Sequence, residues 1–144
     1  MKTVHEVLSQ KDNRIWAAHP EDTVYDAIRR MADHEVGALV VMVEDEMRGI
    51  ISERDYARKV ILKDKSSKAT QVQEIMSREV VTASQHDHVD DCVALMRSHH
   101  IRHLPVVEDS KVIGMLSLRD LFATIIAEQA STIDQMEHYI RGEV

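Results

Sequence analysis

The chain repeats itself. Shifted by 65 residues, positions 16–62 of the 144-residue sequence align with 81–127 without a gap. Identical pairs include Asp22/Asp87, Val24/Val89, Asp26/Asp91, Met31/Met96, His34/His99, Leu39/Leu104 and Val41/Val106. They continue through Gly49/Gly114, Ser52/Ser117, Arg54/Arg119 and Asp55/Asp120. Such a duplication constrains the architecture before any element is assigned, because two similar units fold alike and bury similar faces. Upstream, Val-His-Glu-Val-Leu at 4–8 recurs as Val-Gln-Glu-Ile-Met at 72–76, now offset by 68, so the first copy carries three extra residues before its first strand.

Each copy reads as strand–helix–strand–strand–helix. Short apolar strands are expected at 15–18 and 80–83. Helices follow, with apolar residues at i, i+3, i+4 and i+7: Val24, Ala27, Ile28 and Met31 in copy one, Val89, Cys92, Val93 and Met96 in copy two. Buried strands at 38–43 and 104–107 lead through acidic turns to further strands ending at Ser52 and Ser117, and second helices are expected over 53–62 and 118–127. Residues 63–71 are polar and read as a linker. Ile133, Met136 and Ile140 predict a further amphipathic helix within 131–144. A unit of about 60 residues buries too little surface to stand alone. The fold expected is therefore α/β (α+β), with two pseudo-twofold-related βαββα repeats packed through their small sheets and clefts at the junction. The division expected is 1–71 for the first repeat and 72–144 for the second.

Composition narrows the function. The net charge of −7 disfavours nucleic acid as a partner, and 3% aromatics disfavour a stacking platform for single strands. Cys92 is the only cysteine, so neither a disulfide framework nor a cysteine zinc cluster is expected. The apolar runs reach only about six residues against the roughly 20 that span a bilayer, and 1–14 lacks a signal-peptide apolar region. A soluble, cytoplasmic protein is the expectation.

The sharpest motif is Gly49-Ile-Ile-Ser52-Glu-Arg54-Asp55, repeated as Gly114-Met-Leu-Ser117-Leu-Arg119-Asp120. Ser-x-x-Asp at a strand-to-helix junction is a capping box. Capping alone does not require Gly three residues before Ser, nor Arg before Asp, and Gly inside a strand implies a close backbone approach. The same element suits a nucleotide: helix N–H groups and Arg for phosphate, Asp to accept ribose hydroxyls.

This motif pair, with Arg102-His103-Leu104-Pro105-Val106-Val107 opening a central strand, resembles the CBS domain (named after cystathionine β-synthase), and the pair resembles a Bateman module. The resemblance covers 4 to about 129. It implies an adenosyl ligand (AMP, ADP, ATP, NAD or S-adenosylmethionine) in clefts between the copies, a regulatory rather than enzymatic role, a homodimer joined through the helices, and an effector that the sequence does not name. It assigns Asp55 and Asp120 to ribose, and Ser52, Ser117, Arg54 and Arg119 to ribose or phosphate. Val36, Gly37, Ala38 and Leu39, with Ile101, Arg102, His103, Leu104 and Pro105, would hold the adenine. Thr82 matches a nucleoside-contacting position whose counterpart is Ala17, so unequal pockets are expected.

Six basic residues between Arg54 and Lys68 face only two acidic ones. This is either a solvated helix face with Asp55–Arg58 and Asp55–Lys59 pairs, or a place where Arg58 and Lys59 meet a di- or triphosphate. The nine histidines lack metal-ligand spacing, so no metal is expected. His34 and His99 are expected at helix C-termini, where the dipole favours them, and Cys92 as an inert core residue. The competing readings are a ligand-free interaction scaffold and a small metal-dependent phosphohydrolase.

Overall fold

Apolar spacing and capping residues place the helices. The computed structural model describes residues 2–12 and 14–142. Its elements are α1 (Val4–Ser9), β1 (Ala17–Ala18), α2 (Val24–His34), β2 (Ala38–Val43), β3 (Glu46–Ser52), α3 (Glu53–Tyr56), α4 (Val72–Ile75), α5 (Val89–His99), β4 (His103–Glu108), β5 (Lys111–Ser117) and α6 (Leu118–Ile140). The Thr23 hydroxyl accepts from the Asp26 N–H at 3.1 Å and starts α2. Both α2 and α5 end on a left-handed residue at the same repeat position, Glu35 and His100. His34 and His99 occupy the last turns, as expected.

In copy one β1 runs parallel to β2, and β2 antiparallel to β3. In copy two β4 and β5 form the matching hairpin, and the two hairpins share a bulge after Val41 and Val106. The strand expected at 80–83 shrinks to one parallel bridge: the Ala83 N–H donates to Pro105 O, and the Val107 N–H to Ala83 O. One step further the ladder would need an N–H from Pro105, which proline lacks. The first strand of copy one is likewise shorter than expected, at 17–18.

The second helices differ between copies. After Tyr56 the chain widens into a π turn over Ala57–Ile61, with the Leu62 N–H reaching Ala57 O at 3.1 Å, which keeps Val60 in the core. It then stops at Asp64, in left-handed conformation. Copy two has Gln129 there and no Gly or Pro before Ile140. The separate tail helix expected at 131–144 is therefore the continuation of α6 to Ile140, and residues 143–144 lie outside the described ones.

Two apolar cores form, and each takes a segment from the far side of the repeat. Val72, Ile75 and Met76 pack with Met31, Leu39 and Ile51 of copy one. Val4, Val7 and Leu8 pack with Met96, Leu104 and Leu116 of copy two. The docking is equivalent in both: the Val72 N–H donates to Asp22 O and the Val4 N–H to Asp87 O, each at 2.8 Å. The segment 63–71 is pinned as well, the Val24 and Tyr25 N–H groups donating to Thr70 O and Ser67 O.

Candidate functional site

Both capping boxes form. The Ser52 N–H donates to Asp55 Oδ2 at 2.9 Å and the Asp55 N–H to Ser52 Oγ at 3.2 Å. The Ser117 N–H donates to Asp120 Oδ2 at 2.9 Å and the Asp120 N–H to Ser117 Oγ at 3.1 Å. The glycines of the motif have a packing cause. A Cβ on Gly49 would stand 2.6 Å from Ser77 O, and one on Gly114 would stand 2.9 Å from Leu8 Cδ2. The close approach inferred from glycine in a strand is thus made by the docked segments 72–77 and 4–8.

The two copies each carry the same internal backbone joint. The Glu53 N–H donates to Gly37 O at 3.0 Å, and the Leu118 N–H to Arg102 O at 2.8 Å. Between them opens a cleft of about 1240 Å³, above the roughly 300–1,000 Å³ usual for small-molecule sites. It gathers Val36, Gly37, Ala38, Arg102, His103, Ser117, Arg119 and Asp120 from the expected set. Leu39, Leu104 and Pro105 are buried in the strands behind it, and Ile101 packs half-buried on the copy-two core. The His103 ring of copy two lies over Gly37 of copy one, where a Cβ would come within 3.0 Å of its Cε1.

Ser52, Arg54, Asp55, Arg58, Lys59 and Thr82 do not line this cleft. Lys59 Nζ sits 3.0 Å from Asp55 Oδ1 and donates to Ile75 O at 2.8 Å. Arg54 reaches across to donate to His100 O. Arg58 and Thr82 are exposed.

Sequence reasoning missed several residues of the cleft. Trp16 and His34 line it with stacked rings, their centroids 3.5 Å apart at 9°. Lys11, from the segment that precedes β1, donates to Asp120 Oδ2 at 2.7 Å and to Met115 O at 2.8 Å. A signal was present: the repeat places Thr124 where copy one has Lys59, so Asp120 lacks the helical lysine that pairs with Asp55. Glu35, Glu53 and Asp12 also face the cleft, with Arg14 3.5 Å from Asp12.

Electrostatics follow from this packing. Burial alone would raise the Asp120 carboxyl, but the Lys11 ammonium and the Ser117 hydrogen bonds outweigh it and hold the group below the usual carboxylate range. Burial lowers His103, with Lys11 and Arg102 acting in the same direction against the opposing pull of Asp120. Burial, then Asp87 and Asp91, push the Cys92 thiol up to about 11. Among the described residues no cluster of three His, Cys, Asp or Glu is placed to hold a metal ion, and no helix is long and apolar enough to cross a membrane.

The family model of the CBS domain matches the chain twice, at residues 5–62 and 72–127. The mitochondrial CBS domain-containing protein CBSX3 of Arabidopsis thaliana is 37% identical over 150 residues, covering 97% of this chain and 72% of its own. A putative signal-transduction protein with CBS domains from Burkholderia ambifaria is similar in structure, with a TM-score of 0.86 and 45% identity over 89% of this chain and 96% of that one. The CBS domain pair of protein MJ0100, solved in complex with 5′-methylthioadenosine and S-adenosyl-L-methionine, shares the fold at a TM-score of 0.79 and 24% identity, over 89% of this chain and 98% of that one. This chain belongs to the CBS domain family and consists of a tandem CBS pair.

Proposed function

We propose that the pair is a non-enzymatic regulatory module that binds an adenosine-containing ligand (AMP, ADP, ATP, NAD or S-adenosylmethionine) in the clefts between its repeats. The observation that carries this reading is the convergence in one cleft of Asp120, held by its capping box, with the Trp16 ring and the Gly37–Ala38 edge. A carboxylate fixed by its own backbone suits a pair of ribose hydroxyls, and an aromatic edge beside exposed backbone suits a purine. The ligands of the MJ0100 pair belong to that class. Asp55 and Thr82 would belong to a second, unequal site. There Lys59 is engaged by Asp55, and Arg58 is left for a phosphate.

Thermal-shift screening of the full chain with millimolar AMP, ADP, ATP, NAD and S-adenosylmethionine tests it. Ligand at 100 times Kd adds about 2.7 kcal/mol by mass action, and Asp120→Asn should abolish most of the shift. No shift with any of the five would favour a ligand-free scaffold. Nucleotide turnover that requires added Mg²⁺, Mn²⁺ or Zn²⁺ would favour the phosphohydrolase.

The module is also proposed to act as a homodimer through its second helices. Ile61 and Ile126 occupy equivalent repeat positions, and both are more than half exposed. Such apolar side chains at matched positions suit a two-fold contact. Ile61→Glu/Ile126→Glu should turn the dimer into a monomer in light scattering coupled to gel filtration.

A further inference from the structure

Both motif aspartates carry a lysine, and the two lysines come from different places in the chain. Lys59 reaches Asp55 from one helical turn away and anchors on Ile75 O, a carbonyl of the docked segment α4. Lys11 reaches Asp120 across 109 residues of sequence and anchors on Met115 O of β5. In copy two the helical position is Thr124, whose hydroxyl donates to Asp120 O instead. The stretch between α1 and β1, longer by three residues than its counterpart in copy two, thus supplies from outside the repeat what copy one builds into its helix. Both partners are largely withdrawn from water, with side-chain exposures of 31% for Lys11 and 25% for Asp120. An ammonium has three donors. Two of those on Lys11 are used, and the residue lines the cleft, so the third is available to a ligand oxygen.

We propose that Lys11 is a positioning residue of the Asp120 cleft, which holds that carboxylate by Oδ2 so that Oδ1 meets the ribose and which itself contributes a donor to the ligand. The proposal rests on the nucleoside-binding reading above. It makes the segment before β1 part of the site, so that occupancy of this cleft, unlike the Asp55 side, is felt by the segment that docks α1 on copy two. The charged and titratable groups that line the cleft with Asp120 are Lys11, Asp12 and Arg14 from that segment, His34 and Glu35 at the end of α2, Glu53 at the start of α3, Arg102 and His103 at the start of β4, and Arg119 on α6.

The test uses the full chain and adenosine, which has no phosphate, so a loss cannot arise from a missing phosphate contact. Trp16 is the only tryptophan and lines the cleft, so its fluorescence reports binding there. Lys11→Met should weaken adenosine about tenfold, the scale of one charge-assisted contact. Lys11→Arg should retain most of the affinity. Lys11→Met/Thr124→Lys, which returns a cation to Asp120 by the route used in copy one, should recover it in part. The acid limb of the affinity should move to higher pH in Lys11→Met and return in the double variant, which loss of packing alone would not produce. Wild-type affinity in Lys11→Met, with Asp120→Asn still defective, would overturn the role of Lys11 and leave the nucleoside reading standing. Failure of wild-type protein to bind adenosine or any of the five adenosine compounds would overturn both.

Discussion

Gly114 and Leu8 are matched across the protein: a Cβ on Gly114 would stand 2.9 Å from Leu8 Cδ2 and 3.2 Å from Cδ1. The glycine of the repeated motif therefore records the docking of α1 on copy two, as Gly49 records the docking of α4 on copy one. The two contacts differ in kind. Leu8 presents the end of a flexible side chain, whereas a Cβ on Gly49 would stand 2.6 Å from the Ser77 carbonyl oxygen, beside a two-way backbone bridge between Ile50 and Ser77.

Gly49→Ala should accordingly destabilise by about 2–4 kcal/mol and Gly114→Ala by roughly 1 kcal/mol, because a side chain can shift where a paired backbone cannot. Leu8→Ala alone should cost about 2–4 kcal/mol as a buried truncation. In that background the cost of Gly114→Ala should nearly vanish, a coupling that a urea-denaturation double-mutant cycle measures directly.

Stability should fall as pH drops below neutrality, and His103 should account for part of the fall. Its folded-state pKa is lowered from 6.5 by burial, so below that value the unfolded chain takes up a proton that the folded chain resists, and folding loses free energy. Melting temperatures from pH 7.5 to 5 should decline less steeply for His103→Gln than for wild type. An unchanged slope would assign the decline to other groups.

Asp120 acts in a lower window. Its folded pKa lies below the usual 3.8, so the stability it contributes is present above that value and is lost as pH falls through the folded one. Lys11→Met should therefore shift the midpoint of acid unfolding to higher pH, read by circular dichroism.

Cys92 should behave as an inert apolar residue. It is buried, and its thiol is raised to about 11, so almost no thiolate exists at neutral pH. Its reaction with a disulfide reagent should proceed only as fast as the protein unfolds, and fast modification of the native protein would contradict this packing.

What was legible in the sequence was local. The apolar periodicity of α2 and α5, the Ser-x-x-Asp caps and the hairpin strands depend on residues within a turn or two of each other, and the duplication repeats those local patterns 65 residues on. The expected strand at 80–83 failed because the rung next to the Ala83–Val106 bridge needs an N–H that Pro105 lacks, and the expected break in α6 failed because nothing between Leu118 and Ile140 interrupts a helix. The motif residues were visible as a pattern, while their partners were not: Ser77 and Leu8 beside the glycines, His103 over Gly37, and Lys11 on Asp120 are separated from them by long stretches of chain. By itself the sequence determined two βαββα units with capped, carboxylate-bearing strand–helix junctions, because short-range sterics and hydrogen bonding encode them. Only the tertiary structure decided which segment covers which core and which lysine serves which aspartate, because docking α1 and α4 is settled by the apolar surface they bury across the molecule and not by any propensity of their own.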